Sequence, residues 1–313
     1  MAREKGSWLA RRLLVGCPGK KPPAAKMAPD TLNEDTSMLL DSVNTNAGAL
    51  IALENLQSSQ SQLDTTQNII STGLKVANAK DDASTWAIAQ NQRAQVMSLD
   101  SVKDSLSRGQ SALDVAISAG TSISDLLSQM KAKALAASDK GLDSTSRAAL
   151  NNDFQALRDQ VTTIVTNADF NGTNMIKSGG TTIYALANAD GSSKITVTAE
   201  DLSLGGANVS VTSTDTIGTS TTASTMIGTL QTSIDQVSAA LAKLGTGSKA
   251  LDNHQTFIST LQDTLNTGIG NLVDANLAAE SAKLQALQTK QQLGVQALSI
   301  ANSSSSILLG LFR

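Results

Sequence analysis

The sequence predicts a mainly α protein, a long antiparallel helical hairpin or coiled-coil bundle with a small central β region. Three observations carry this expectation. Residues 38–313 contain no proline, where ordinary usage would place roughly a dozen. Proline lacks a backbone donor and breaks helix interiors, so its absence is what long uninterrupted helices require. Glycine-poor, apolar-periodic stretches fill both ends of the chain, and the turn-rich stretch lies in the middle, so the chain runs out and back.

Composition narrows the class further. Two Trp, one Tyr and four Phe in 313 residues leave few aromatics to build a core, so its material is expected to be Leu, Ile, Val and Ala. The 24 Lys+Arg against 27 Asp+Glu, a net charge of −3, lack the basic footprint of a nucleic-acid binder. The averages hide a boundary at residue 37. All four prolines (Pro18, Pro22, Pro23, Pro29) and the single cysteine, Cys17, precede it, together with seven of the basic residues and four of the acidic ones. Arg11-Arg12 followed by Leu13-Leu14-Val15-Gly16-Cys17 suggests a signal peptide or a lipid-modified cysteine, but the apolar run is too short for an inserting core. Residues 1–37 are read as a disordered basic leader, or as sequence upstream of a true start at Met38. The cysteine-free body has no thiolate nucleophile and no Cys-ligated metal site.

From Asn44 to Ile70 the sevenfold series Leu56, Leu63, Ile70, flanked by Leu53, Gln60 and Gln67, reads as a heptad seam with polar interruptions. Only Glu54 and Asp64 are charged between Ser42 and Leu74, a neutral surface for a helix that faces water. Asp81-Asp82 after Lys80 reads as a cap or turn. Helices are expected from Ser105 to Leu135 and from Ser144 to Asn167, broken at Gly141, with Ser144-Thr145-Ser146 as the cap. Phe170-Asn171-Gly172 marks a turn. From Thr181 to Thr222 the pattern switches to period two, as in Lys194-Ile195-Thr196-Val197-Thr198, which reads as strand. The Ser/Thr-rich stretch from Ser210 to Thr225 is expected to be exposed. Helix returns from Thr225 to Leu244 and again from Asp252 to Leu265.

The C-terminus carries the strongest functional signal. One stripe, Leu272, Ala279, Ala286, Leu293, Ile300, Ile307, is apolar at every seventh residue; a second reads Leu277, Leu284, Gln291, Leu298. At about 100° per residue, Leu284 and Ala286 point roughly 200° apart, so the helix is apolar on two opposed faces and needs two neighbours. No charge follows Lys290 until Arg313. Gln291, Gln292, Gln296, Asn302 and Ser303 to Ser306 exclude a membrane span, because each would need a partner in hydrocarbon. The apolar tip Ile307-Leu308-Leu309-Gly310-Leu311-Phe312 needs cover, which association between copies supplies. The expected polymerisation residues are Leu53, Leu56, Leu63, Ile70, Leu272, Leu277, Leu284, Leu293, Leu298, Ile300, Ile307 and Phe312. No catalytic, cofactor-binding or metal-binding residues are expected: His254 is the only histidine, so no triad or His-based metal cluster can form. It reads as a helix-face or subunit-contact residue.

Ser42-Val43-Asn44-Thr45-Asn46-Ala47-Gly48-Ala49-Leu50, Asn167-Ala168-Asp169-Phe170-Asn171-Gly172, and the closing Gln288-Thr289-Lys290-Gln291-Gln292-Leu293-Gly294-Val295-Gln296-Ala297-Leu298-Ser299-Ile300-Ala301-Asn302 with Leu311-Phe312-Arg313 resemble the opening, middle and end of bacterial flagellins. The resemblance covers 38–313. It implies a short-form filament subunit with an inner core of 38–80 and 269–313, an outer core of 81–178 and 225–268, and a reduced variable β region at 179–224. The extension 1–37 has no counterpart in the family. The implied partners are other copies of the chain or other flagellins, the flagellar secretion apparatus, an export chaperone at the C-terminal helix, and the hook-filament junction and cap proteins, with no nucleic acid and no membrane. The implied location is the extracellular filament. The alternatives are a hook-filament junction protein of the same family and a secreted coiled-coil adhesin or effector.

Overall fold

A computed structural model describes the backbone of residues 46–310 and the side chains of residues 46–303. The leader 1–37, Met38, the side chain of Ile307 and Phe312 lie outside these described residues. The elements in order are α1 (Ala47–Thr72), α2 (Ala83–Ala137), α3 (Ser144–Asn167), β1 (Ile183–Leu186), β2 (Lys194–Val197), α4 (Ser220–Val273) and α5 (Leu277–Gly310). The described residues fall into two compact units, 46–65 with 283–310, and 66–282.

The larger unit is built on the antiparallel pair α2 and α4, at 55 and 54 residues. Helix α2 starts well before the expected Ser105, at Ala83. Its early turns bury Ala89, Leu99 and Val102, and Trp86 and Val96 pack on the cluster of Val76, Ala89, Ile269 and Val273, a helical spacing that sequence reading missed. The start is set by Asp82, as its position after Lys80 suggested. One carboxylate oxygen accepts from the amides of Ser84 at 3.0 Å and Thr85 at 3.1 Å, and the carboxylate also accepts from both hydroxyls. The Thr85 hydroxyl and amide, followed by the Ser84 hydroxyl, pull the Asp82 pKa down to about 2. A depressed carboxylate contributes stability above its unfolded value near 3.8, and that contribution is lost as pH falls through the folded value. Asp82→Ala is therefore expected to lower the melting temperature at neutral pH. The gap to the parent should close between about pH 4 and pH 2, which thermal melts at several pH values will read.

Helix α3 spans the predicted residues, but its cap is Asp143 rather than the expected Ser144-Thr145-Ser146. The Asp143 carboxylate accepts from the amides of Thr145 and Ser146, both at 2.9 Å, leaving Ser144 as the first helical residue. At the other side of this connection, Arg147 donates to the carbonyl oxygens of Ala137, Asp139 and Leu142 at 3.0, 2.6 and 3.1 Å. These include an orphan carbonyl at the end of α2.

Two expected helices, Thr225 to Leu244 and Asp252 to Leu265, are one. Helix α4 runs unbroken through Gly245 and Gly247, from the capping box of Thr219 and Thr222. Glycine inside a helix costs about 1 kcal/mol, and packing explains the one at 247. A Cβ there would lie 2.5 Å from Cγ1 of Val197 on β2, so the missing side chain lets the hairpin approach the helix. Gly247→Ala is expected to destabilise this unit by about 1–3 kcal/mol through overpacking; a calorimetric melt at or above the parent's would contradict this packing.

The hairpin is shorter than the period-two stretch suggested. β1 and β2 pair antiparallel with Ile183 opposite Val197 and Leu186 opposite Lys194. The turn before them adopts the left-handed conformation at Asn171 (φ 52°) and Gly172 (φ 80°), closed by reciprocal 3.0 Å hydrogen bonds between Phe170 and Thr173. The rest, to Thr219, is irregular and not simply exposed as expected. Leu202, Val209, Val211 and Ile217 are fully buried, while the neighbouring Thr and Ser residues face water. Alternation here reports a half-buried loop, held by Ser210 N donating to Ser233 Oγ at 3.0 Å and Ile217 N donating to Asn151 Oδ1 at 2.8 Å. The core is aliphatic as composition required, with Met130 and Met175 added and Phe154 fully buried within it.

Candidate polymerisation surface

The smaller unit is a two-helix pair, the first part of α1 against α5 from Lys283 onward. The helices run antiparallel. Asn46 Nδ2 donates to the Ala301 carbonyl at 2.7 Å, Gln291 Nε2 donates to Gln60 Oε1 at 2.5 Å, and Leu56 packs against Gly294, where a Cβ would sit 3.3 Å from Leu56 Cδ1. On α1 the inward residues are Leu56, Ser59 and Leu63; on α5 they are Leu284, Leu287, Gln291, Gly294 and Leu298, all buried or half-buried. The series returns every three or four residues, as a two-helix seam requires.

The expected stripe of Leu284, Gln291 and Leu298 thus faces α1, and the opposed stripe does not. Ala279, Ala286, Leu293 and Ile300 all face solvent, with Leu293 65% and Ile300 64% exposed. Leu53 and Leu277 are also exposed. Sequence reading missed Leu50, Ile51 and Val295, which are exposed by 60%, 58% and 54%. Their signal was the charge-free run on either side of them rather than a sevenfold repeat. It also missed Leu287, which is buried, and Gly294, which lies against Leu56.

Not all the named residues lie in this pair. Ile70 and Leu272 are half-buried in the larger unit, where Leu272 packs on the cluster of Val76, Ala89, Ile269 and Val273. The sevenfold series from Leu272 to Ala279 is therefore interrupted. Helix α4 ends at Val273 and α5 begins at Leu277, with Asp274 in extended conformation between them.

Charge is sparse on this surface. Glu54 and Asp64 on α1 and Glu280, Lys283 and Lys290 on α5 are the ionisable groups among the described residues of the two helices. Burying such faces between copies removes few charges from water, so the desolvation cost that penalises charged interfaces is small. The set of exposed large aliphatic residues with so little charge is the candidate interaction surface among the described residues. No helix among the described residues is long and apolar enough to cross a membrane.

His254 has an ordinary role. Its Nε2 lies 2.7 Å from the carbonyl oxygen of Ala187, just past β1, and its ring sits 5.7 Å from that of Phe257. It ties α4 to the hairpin within the chain.

The model of the bacterial flagellin N-terminal helical region matches residues 43–181, and that of the C-terminal helical region matches residues 227–312. Flagellin FljO of Caulobacter vibrioides is 56% identical over 276 residues, covering 88% of this chain and 100% of that protein. Flagellin FljK of the same organism is 55% identical over the same extent. A flagellin of Brucella melitensis is 36% identical over 284 residues, covering 87% of this chain and 99% of that protein. The crystal structure of Bacillus cereus flagellin matches 49% of this chain and 88% of that one, at 24% identity and a TM-score of 0.44.

Proposed function

This chain belongs to the bacterial flagellin family and is a structural subunit of the extracellular flagellar filament, and from that premise we propose which of its surfaces hold copies together. The inner core of the filament is formed by residues 38–80 and 269–313, the outer core by 81–178 and 225–268, and the short variable region by 179–224. Within the inner core, Leu56, Leu63, Leu284 and Leu298 join the chain's own terminal helices. Leu53, Leu277, Leu293 and Ile300, with Leu50, Ile51 and Val295 beside them, meet other copies. Ile307, Phe312, Ile70 and Leu272 are further residues of the proposed polymerisation set.

The observation that carries this reading is the exposed stripe on α5. A helix that buries one apolar face in its own chain and leaves another in water is incomplete until a second copy covers it. The same face is a binding site for an export chaperone while the chain waits in the cell, because that partner and the filament would cover the same residues. The secretion apparatus, the hook-filament junction and the cap complete the set of partners.

Deleting residues 269–313 tests the assignment. The truncated chain is expected to keep the helical content of α2, α3 and the part of α4 before residue 269 by circular dichroism but form no filaments by sedimentation and electron microscopy. Filaments assembled from that chain would refute it.

A further inference from the structure

Helix α5 poses a choice that apolar burial resolves only in part. Its two stripes lie on opposed faces, and each carries large aliphatic residues: Leu284, Leu287 and Leu298 on one, Leu293 and Ile300 on the other. Turning α5 half a revolution would bury Leu293 and Ile300 against α1 and expose the leucines now inside. The inward face carries three large aliphatic residues and the outward face two, so burial favours the present phase by about one leucine.

Polar and steric details decide the phase. Gln291 sits in the seam with its amide bonded to Gln60 at 2.5 Å, and Gly294 leaves the space that Leu56 occupies. In the turned arrangement Gln291 would face water, Gln60 would keep its amide N–H bond to Asp64 Oδ1 at 3.0 Å but lose the partner of its amide oxygen, and Leu56 would lose its socket. A half-buried amide oxygen left without a partner is costly. A polar pair in an otherwise apolar helix seam is an established way to select one arrangement from near-equivalent ones.

We propose that the Gln60–Gln291 pair is the phase lock of the terminal helices: it holds α5 with Leu284 and Leu298 inward, and so keeps Leu293 and Ile300 turned outward for the next copy. The pair makes no contact with that copy in this scheme. It positions the surface that does. The inference rests on the filament-subunit reading for its consequence, but the rotation itself can be measured without any filament.

The labelling test uses the full chain with Cys17→Ser and a reporter cysteine at either Ile300→Cys or Leu298→Cys, labelled with a maleimide as the unassembled chain, while filament yield is read in chains that keep Ile300 and Leu298. With Gln60 and Gln291 intact, the reporter at 300 is expected to label roughly tenfold or more faster than the one at 298, as differential protection of the two faces requires. In the Gln60→Leu/Gln291→Leu background the ratio should fall to about one or below and filament yield should collapse, while circular dichroism shows helix content retained. Gln60→Glu/Gln291→Lys, which restores a polar pair, should recover both the labelling ratio and assembly. An unchanged ratio in the double-leucine background overturns the phase lock whatever the filaments do. A changed ratio with normal filaments, or a polar swap that recovers neither readout, overturns it as well. If the parent chain labels as expected yet never assembles, the phase lock stands and the filament reading fails.

Discussion

Leu293→Glu/Ile300→Glu is expected to abolish filament growth while leaving the larger unit folded. Both side chains are about two-thirds exposed in the single chain, so the substitutions place carboxylates in water and cost the isolated molecule little. Assembly reverses that. Each subunit joining the filament would bury two charges against a surface whose described residues offer few cations, Lys283 and Lys290 being those of α5. An uncompensated buried charge costs on the order of 3–5 kcal/mol, so even one such charge lowers the association constant by about 100-fold or more. Sedimentation with electron microscopy measures the filaments, and a thermal melt measures the fold. Normal filaments from this variant would exclude the outward stripe from the interface. Loss of the melt along with the filaments would place these residues in the chain's own core instead.

The second large effect lies in the larger unit. Phe154 on α3 is fully buried in a core that is otherwise aliphatic and methionine-containing. Phe154→Ala removes the ring and leaves a cavity, at about 3–5 kcal/mol. For a unit of this size that lowers the melting temperature by roughly 6–20 °C. Calorimetry on the full chain reads it directly, and Phe154→Leu, which keeps most of the volume, should recover much of the loss. A change below about 1 kcal/mol would mean that α3 is held by the contacts of Arg147 and Asp143 rather than by its ring.

Sequence and structure agree wherever a signal is local or periodic. Asp82 could be read as a cap because a carboxylate before Ala83-Ser84-Thr85 has amides within reach whatever the rest of the chain does. Asn171-Gly172 could be read as a turn because those two residues tolerate left-handed backbone. The two faces of α5 follow from helix geometry alone. Disagreement arises where a local signal was outweighed by a distant neighbour. Gly245 and Gly247 look like a helix break, yet Val197 on β2, far away in sequence, fills the space that Gly247 leaves. The Ser/Thr-rich stretch after Ser210 looks exposed, yet Val211 and Ile217 reach the core between hydroxyl residues that do not. The first turns of α2 carry Trp86, Ala89 and Val96 on one face, and what they pack on, Val76, Ile269 and Val273, includes residues far away in sequence.

By itself the sequence determined that this protein is made of long helices, that its end helices are neutral and apolar on more than one side, and that copies must therefore cover one another. Those conclusions need only the absence of proline, the distribution of charge and the 3.6-residue turn, all properties of the chain taken a few residues at a time. Only the tertiary structure decided which stripe of α5 turns inward. That choice depends on Gln60 meeting Gln291 and Leu56 meeting Gly294, and no regularity along one helix records what stands across from it on another.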